Sequence, residues 1–297
     1  MKNIGGQAVI EGVMMKASRG WSVAVRGPKG EITLKTVKTA EPSRFQKLPL
    51  VRGVVALAQA MLIGIKALEF SGTVAYGEDE KPLTPKDMAL SLGTAVVLAI
   101  GLFIVLPLFL TKLMGNVVSG IADSSFLFNL VDGVLRVFIF LLYVFAIGFW
   151  KEMRRIYEYH GAEHKVIFTH EAGDELTVEN ARKYKPYHPR CGTSFLLIVM
   201  VISILVFSLI PKEWAFIEKA LSRLILIPAI AGISYEILKA SARFHDNPVM
   251  SLMILPGLLL QRLTVREPDE SQIEVAIAAA KDVLSIESAH EEVCGKC

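Results

Sequence analysis

Apolar positions in this chain run in long blocks, and polar positions gather between them. Met88 to Thr111 is apolar and uncharged for about 24 residues, enough for a helix to cross a hydrocarbon core of ~30 Å. Phe126 to Trp150 is a second block, interrupted only by Asp132 and Arg136. Those two stand four residues apart, so they share a helix face and can pair. Gly192 to Ile210 is a third block with no charge. Ala220 to Ala242 is a fourth, with Arg223 at its near end and Glu236 and Lys239 at its far end. The pattern predicts an α-helical polytopic membrane protein with about four transmembrane helices. Two further stretches are apolar but broken. Val51 to Tyr76 carries Gln59 and the charged Arg52, Lys66 and Glu69, which are costly in a spanning helix, and reads as an interfacial or re-entrant helix. Val249 to Leu260 is too short to span and holds Pro256-Gly257, so it reads as a re-entrant or bundle-packed segment.

The two chain ends follow other periods. Gln7 to Met15 is apolar-rich, and Trp21 to Arg26 and Ile32 to Lys38 flank the turn signal Gly27-Pro-Lys-Gly30, which predicts strands within 1–48. Arg262 to Arg266 is a further strand candidate. An amphipathic helix then opens after Pro268, with Asp269 or Ser271 as its cap and Ile273, Ile277, Ala280 and Leu284 on one face. The two ends are expected to pack as one small α+β cytoplasmic domain. The organisation is therefore a β-rich region at 1–48, the interfacial helix and first two spans at 49–150, a His-rich loop at 151–191, further membrane segments at 192–261, and a strand, helix and tail at 262–297.

Composition supports partition rather than uniform greasiness. Of 297 residues 53% are hydrophobic, yet 21% are charged, close to the ordinary ~25% of soluble domains. Mean hydropathy is +0.47. A disordered chain and a disulfide-rich miniprotein are excluded, and an ordinary soluble enzyme is disfavoured. A net charge of +3 is too small to point to nucleic acid. Lys and Arg concentrate in the N-terminal region, after the second block (Lys151, Arg154, Arg155) and after the fourth (Lys239, Arg243), while 112–125 and 211–219 carry little net positive charge. By the positive-inside rule both termini and the 151–191 loop face the cytoplasm. The first residues do not form the apolar core of a cleavable signal peptide.

The polar chemistry lies in the loop, which holds four of the six histidines. His160-Gly-Ala-Glu163-His164 has the form H-x-x-E-H. On a helix the two imidazoles sit one turn apart and reach one metal ion, while Glu163 reaches its water as a base. Alone, the five residues weigh evenly against a solvated helix face. Gly161 within them weakens a helix by about 1 kcal/mol. His188 and Cys191, spaced H-x-x-C at the mouth of the third span, are the next ligands, with Glu171 as a rival on the His164 stripe. Their joint presence predicts a His/Cys site, which favours zinc among divalent metals. Arg190 is placed to stabilise an anionic intermediate or hold a lipid phosphate. Smaller signals read as structure: His245-Asp246-Asn247-Pro248 as a capped turn, Cys294-Gly-Lys-Cys297 as a frayed tail, and Gly5-Gly6-Gln7 as a glycine turn before a strand.

Several stretches resemble one group. They are Gly5-Gly-Gln-Ala-Val-Ile-Glu-Gly-Val-Met-Met15, His160-Gly-Ala-Glu-His-Lys165, Leu176-Thr-Val-Glu-Asn180, His188-Pro-Arg-Cys-Gly-Thr-Ser194 and Gln261-Arg-Leu-Thr-Val-Arg-Glu-Pro268, followed by Gln272-Ile-Glu-Val-Ala276. The group is the uncharacterised bacterial integral-membrane family numbered 1385 among the domains of unknown function, generally labelled a predicted metal-dependent enzyme. The resemblance covers nearly the whole chain. It implies that His160, Glu163, His164, His188 and Cys191 belong to the family's motif set, and it supplies no substrate.

Two functions compete. One is a hydrolase of the bacterial inner membrane that acts on a membrane-near peptide or lipid, with His160, His164 and either His188 or Cys191 on zinc and Glu163 as base. The other is a non-enzymatic transporter, channel or assembly scaffold, where the cluster is a structural metal site or polar cap and a homo-oligomer can form the pore. A closed four-ligand site marks the second and an open position the first.

Overall fold

The computed structural model of the chain describes residues 4–39, 43, 46, 48–77, 85–189, 191–211, 213–243 and 248–294. Four antiparallel strands form a meander: β1 (Gly5–Val9), β2 (Gly12–Lys16), β3 (Gly20–Arg26) and β4 (Ile32–Lys38). The apolar run Gln7 to Met15 is thus two strands. It folds back at Ile10-Glu11, where Val9 pairs with Gly12 and Glu11 takes a positive φ of 48°. The strain at Glu11 is offset by partners across the fold, since its carboxylate holds the Arg155 guanidinium and accepts from the Tyr159 hydroxyl at 3.3 Å. The Gly27–Gly30 turn joins β3 to β4 with Arg26 opposite Ile32.

Both faces of the sheet are covered, which is why β2 and β3 read as nearly continuous apolar runs. Val13, Met15 and Ala24 pack on α6 (Lys151–Ala172) and α11 (Glu270–Cys294), through Tyr159, Ala162 and Val166 on the former and Ile273, Ala276 and Ala280 on the latter. The other face, with Val9, Met14, Trp21, Val23 and Val25, lies under α1 (Val51–Tyr76) through Ile63, Ala67, Phe70 and Val74. The two chain ends therefore share one core. Ser18 and the Arg19 N–H both donate to the Glu287 carboxylate of α11, at 2.7 and 2.8 Å.

The helical part contains α2 (Pro85–Ile100), continued by a π-helical turn at Gly101–Val105 into α3 (Leu106–Val117), then short α4 (Ser119–Asp123) and α5 (Ser125–Ile147). After α6 and short α7 (Val178–Arg182) come α8 (Gly192–Phe207), α9 (Phe216–Arg243) and α10 (Pro248–Thr264). α5 packs on α3 and α8, and α8 on α9 and α10. Among the described residues four helices are long and apolar enough to cross a membrane: Val51–Tyr76, Ala89–Val117, Ser125–Ile147 and Phe216–Ala240. This set differs from the sequence expectation in two places. The third block is helical only over Gly192–Phe207, 16 residues or about 24 Å, short of a full crossing. Val51–Tyr76, expected as an interfacial or re-entrant helix, qualifies as a candidate span by length and hydropathy. Its second half packs on a sheet that carries Lys16, Arg26 and Lys35.

Two other expectations are corrected. No strand forms at Arg262 to Arg266. The α10 ladder runs on through the Val265 N–H to Gln261 oxygen bond of 2.8 Å, and the extended residues beyond cross α6, where the Arg266 N–H donates to Tyr157 at 2.9 Å. Pro268 has no N–H to offer a ladder. The apolar stretch Val249 to Leu260 is not interrupted at Pro256-Gly257 but runs as one helix with Pro256 inside it.

Asp132 and Arg136 pair at 2.7 Å as their spacing predicts, and Arg223 of α9 joins them at 2.8 Å from the other carboxylate oxygen. Asn129 accepts from Arg223 at 3.2 Å, and both guanidiniums lie over the Phe207 ring. This buried cluster ties α5, α8 and α9 together at the end of the bundle far from the sheet.

Candidate metal centre

Helix α6 leaves the bundle with a polar first turn and becomes buried from Tyr157 onward, because it is clamped between the sheet, α11 and the 182–191 segment. Lys165, only 3% exposed, is a main clamp: its ammonium pairs with Glu267 at 2.6 Å and donates to the Tyr184 carbonyl at 2.8 Å. The H-x-x-E-H motif falls on the clamped part. His160 and His164 stand one turn apart with ring centroids separated by 4.4 Å.

Hydrogen bonding fixes both tautomers. The His160 Nδ1 lies 3.0 Å from the Thr264 carbonyl, and the His164 Nδ1 lies 2.6 Å from the Pro186 carbonyl. A carbonyl only accepts, so each Nδ1 carries the proton and each Nε2 offers a lone pair. The His164 Nε2 is buried without a hydrogen-bond partner among the described residues. The His160 Nε2 meets the Cys191 Sγ at 3.2 Å. Cys191 is the N-cap of α8, and its sulfur also accepts from the Thr193 N–H at 3.4 Å. One ring nitrogen each of His160 and His164 and the Cys191 sulfur all lie within 4.8 Å of one another. An orphaned buried lone pair, two imidazoles oriented by backbone carbonyls and a capped thiol form a donor set that fits a divalent metal of the zinc type.

Glu163 points into the same region. It is 5% exposed and accepts a hydrogen bond from the Gly6 N–H of β1. Burial pushes its carboxyl up to about 7, against the opposing pull of His160 and of that N–H. Gly6 has no room for a side chain: a Cβ there would lie 2.6 Å from the Met14 carbonyl and 3.0 Å from the Glu163 carboxyl carbon. A pocket of about 450 Å³ reaches the site from between β1, α1 and α8. Gln7, Lys16, Ile63, Glu163, His164 and Cys191 are among its walls.

Residues 48–286 match the family described as protein of unknown function (DUF1385). The chain belongs to that family. As a DUF1385 protein it is also similar to the uncharacterized protein YqhQ of Bacillus subtilis (strain 168), 32% identical over 306 residues that cover 97% of this chain and 94% of that protein. No solved structure matches it.

The predicted site residues separate as follows in this DUF1385 chain. His160, His164 and Cys191 converge, and Glu163 stands beside them. His188 does not join the three. Its Nε2 turns to Glu171 at 3.2 Å, and its backbone is held on both sides by the Gln261 amide, at 2.8 Å to its N–H and 2.8 Å to its carbonyl. Glu171, the rival ligand, is thus His188's partner on the pocket wall. Arg190 and His245 to Asn247 lie outside the described residues, as does Cys297. Sequence reasoning missed the contribution of Gly6, Gln7 and Lys16, which reach the site from far along the chain. The only local signal was the Gly-Gly-Gln tripeptide, whose glycine is now explained by the closeness of Glu163.

Proposed function

We propose that this membrane protein is a metal-dependent hydrolase-like enzyme. His160, His164 and Cys191 hold one divalent ion, zinc by donor chemistry, and the pocket takes a membrane-near peptide or lipid. The observation that carries the reading is the count of converging donors. There are three among the described residues, and a three-ligand set leaves a position for water or substrate, whereas a structural site closes with four. A metal bound there supplies Lewis acidity to water and to a carbonyl or phosphoryl group. The chain's own residues do the rest. Thr264 and Pro186 carbonyls keep the two imidazoles in the tautomer that presents Nε2. Glu163, raised toward neutrality by burial, exchanges a proton at its carboxylate, and the Gly6 N–H orients it. The Gly5–Gln7 strand and α1 exclude bulk water from one side. Lys16 offers a cation on the pocket wall, where an anionic intermediate can be met.

The sheet end of the bundle is assigned to the cytoplasmic side of a bacterial inner membrane. The support is the Lys151, Arg154 and Arg155 cluster just beyond α5 and the Bacillus relative.

Metal analysis of the purified full-length protein tests the reading. About one equivalent of zinc per chain is expected. His164→Ala and Cys191→Ala lose it, and Glu163→Gln keeps it. Absence of stoichiometric metal from the parent protein overturns the proposal.

A second reading has one specific observation behind it. The His160–Cys191 contact of 3.2 Å, with the Thr193 N–H on the sulfur, is also the arrangement of a thiol nucleophile and its base. Metal-free protein then alkylates at Cys191 and keeps activity until it does. Under the first reading, metal removal alone abolishes activity.

A further inference from the structure

A second pocket, of about 520 Å³, lies apart from the metal centre, where α1 ends, α6 begins and the two sheet turns at Ile10-Glu11 and Gly27-Pro28 meet. Its walls divide by chemistry. Ile10, Tyr76 and Ile156 give an apolar side, and Arg26, Lys151 and Arg155 give a cationic one. Two carboxylates also line it, Glu11 and Glu152, and a third, Glu274, pairs with Arg26 at 2.9 Å. Glu11 is already bound to Arg155 and to the Tyr159 hydroxyl. Arg26 is held by the Gly30 carbonyl at 2.7 Å and by the Ser271 carbonyl and Glu274, each at 2.9 Å, and its Nε is buried without a partner among the described residues. Lys151 is exposed and forms no ion pair among the described residues. The α6 N-cap, Trp150, supplies no side-chain acceptor, so the free N–H groups of the first turn add to the positive potential.

The position of this pocket limits what can fill it. Lys151 follows the membrane-length helix Ser125–Ile147 by four residues. Between them Phe149 and Trp150 are 75% and 69% exposed, the aromatic signature of a membrane–water boundary. A pocket at headgroup depth, with one apolar wall and one cationic wall, is complementary to an anionic amphiphile.

We propose that this pocket binds an anionic phospholipid, its phosphate against Lys151 and Arg26 and its glycerol and upper chains against Ile10, Ile156 and Tyr76. The site is independent of the metal reading, because it shares no residue with the metal centre. A bound lipid at this point bridges the sheet, α1 and α6. It thereby fixes the α1 cover on the sheet face opposite α6 and α11.

Native mass spectrometry of the full-length protein in detergent tests this. Phosphatidylglycerol is titrated against phosphatidylcholine with the same chains. Phosphatidylglycerol is expected to bind at least about tenfold more tightly. Lys151→Ala is expected to lose about fivefold of that affinity without changing phosphatidylcholine binding. Lys281→Ala, on the exposed face of α11, is expected to change neither. Lys151→Gln serves as a second variant if the first does not fold. Equal binding of the two lipids, or an unchanged Lys151→Ala, overturns the proposal. Full competition by soluble glycerol phosphate also overturns it, since the site is then one for a free phosphate and not for a lipid.

Discussion

Gly161 sits in the middle of H-x-x-E-H, where a helix would ordinarily favour any residue but proline over glycine. The reason is a crossing chain: a Cβ at this position would lie 2.1 Å from the Arg266 carbonyl oxygen and 3.1 Å from Pro268. In a free helix Gly→Ala stabilises by about 1 kcal/mol. Here the sign reverses. Gly161→Ala pushes the 265–268 segment off α6 and with it the Thr264 carbonyl that orients His160. A loss of about 2 kcal/mol is expected, read as a lower thermal midpoint, together with weaker metal retention. An unchanged midpoint would show that the segment yields without cost. The same residue marks how far the site could be read from the chain. The His160/His164 pair was legible because helical spacing alone puts two imidazoles on one face. The choice between His188 and Cys191 was not, because it depends on Gln261 and Glu171, which pull His188 aside from positions 73 and 17 residues away. The partners of the two Nδ1 atoms were illegible for a simpler reason. They are backbone carbonyls, and a sequence does not display those.

Helix α11 gives the clearest case of an element written into local sequence. Asp269 accepts from the Gln272 N–H at 2.9 Å, while the Gln272 side chain accepts from the Asp269 N–H at 2.9 Å, a reciprocal capping box. Burial tends to raise the Asp269 carboxyl. The Ser271 hydroxyl and the Gln272 and Ser271 N–H groups outweigh that and hold it below its ordinary range. A depressed carboxyl contributes stability in full above its unfolded-state value, and that contribution is lost as pH falls through the folded-state value. Asp269→Ala is therefore expected to cost about 1 kcal/mol at neutral pH. The gap between variant and parent should close in acid. A gap that persists below the folded-state value means that the carboxylate is not the cap. The strands flanking Gly27–Gly30 were equally local. The division of Gln7 to Met15 was not, because the turn rests on Glu11 held in a positive-φ conformation by Arg155, a residue 144 positions away. Likewise α8 was read as too long. A run of apolar residues fixes hydropathy but not where the helical ladder stops, here at Phe207.

At the scale of the whole molecule, α1 decides how the water-facing part is attached to the bundle. Its 26 residues extend about 39 Å. Near its start, Gly53 packs against Gly232 and Tyr235 of α9, and the Arg52 Nε donates to Glu236 at 2.7 Å. Toward its end it covers Trp21, Val23 and Val25, and Tyr76 opens onto the pocket beside the start of α6. Glu236 lies near the C-terminal end of α9, and α6 begins just past the C-terminal end of α5. Both ends of α1 thus approach the same end of the bundle. Length and hydropathy qualify it as a span, while these contacts are those expected of a helix that lies along the membrane surface under the sheet. Its exposed apolar residues Met61 and Leu62, 58% and 61% exposed, then face lipid headgroups rather than chains on all sides. Cysteine labelling separates the two placements. In a Cys294→Ser, Cys297→Ser background the remaining Cys191 is 7% exposed and should stay silent. Leu48→Cys and Tyr76→Cys, at positions 47% and 53% exposed in the parent, should react with a membrane-impermeant maleimide from one and the same side. A helix that crossed the bilayer would put them on opposite sides. That outcome would detach the sheet from α1 and leave the pocket at the metal centre without one of its walls.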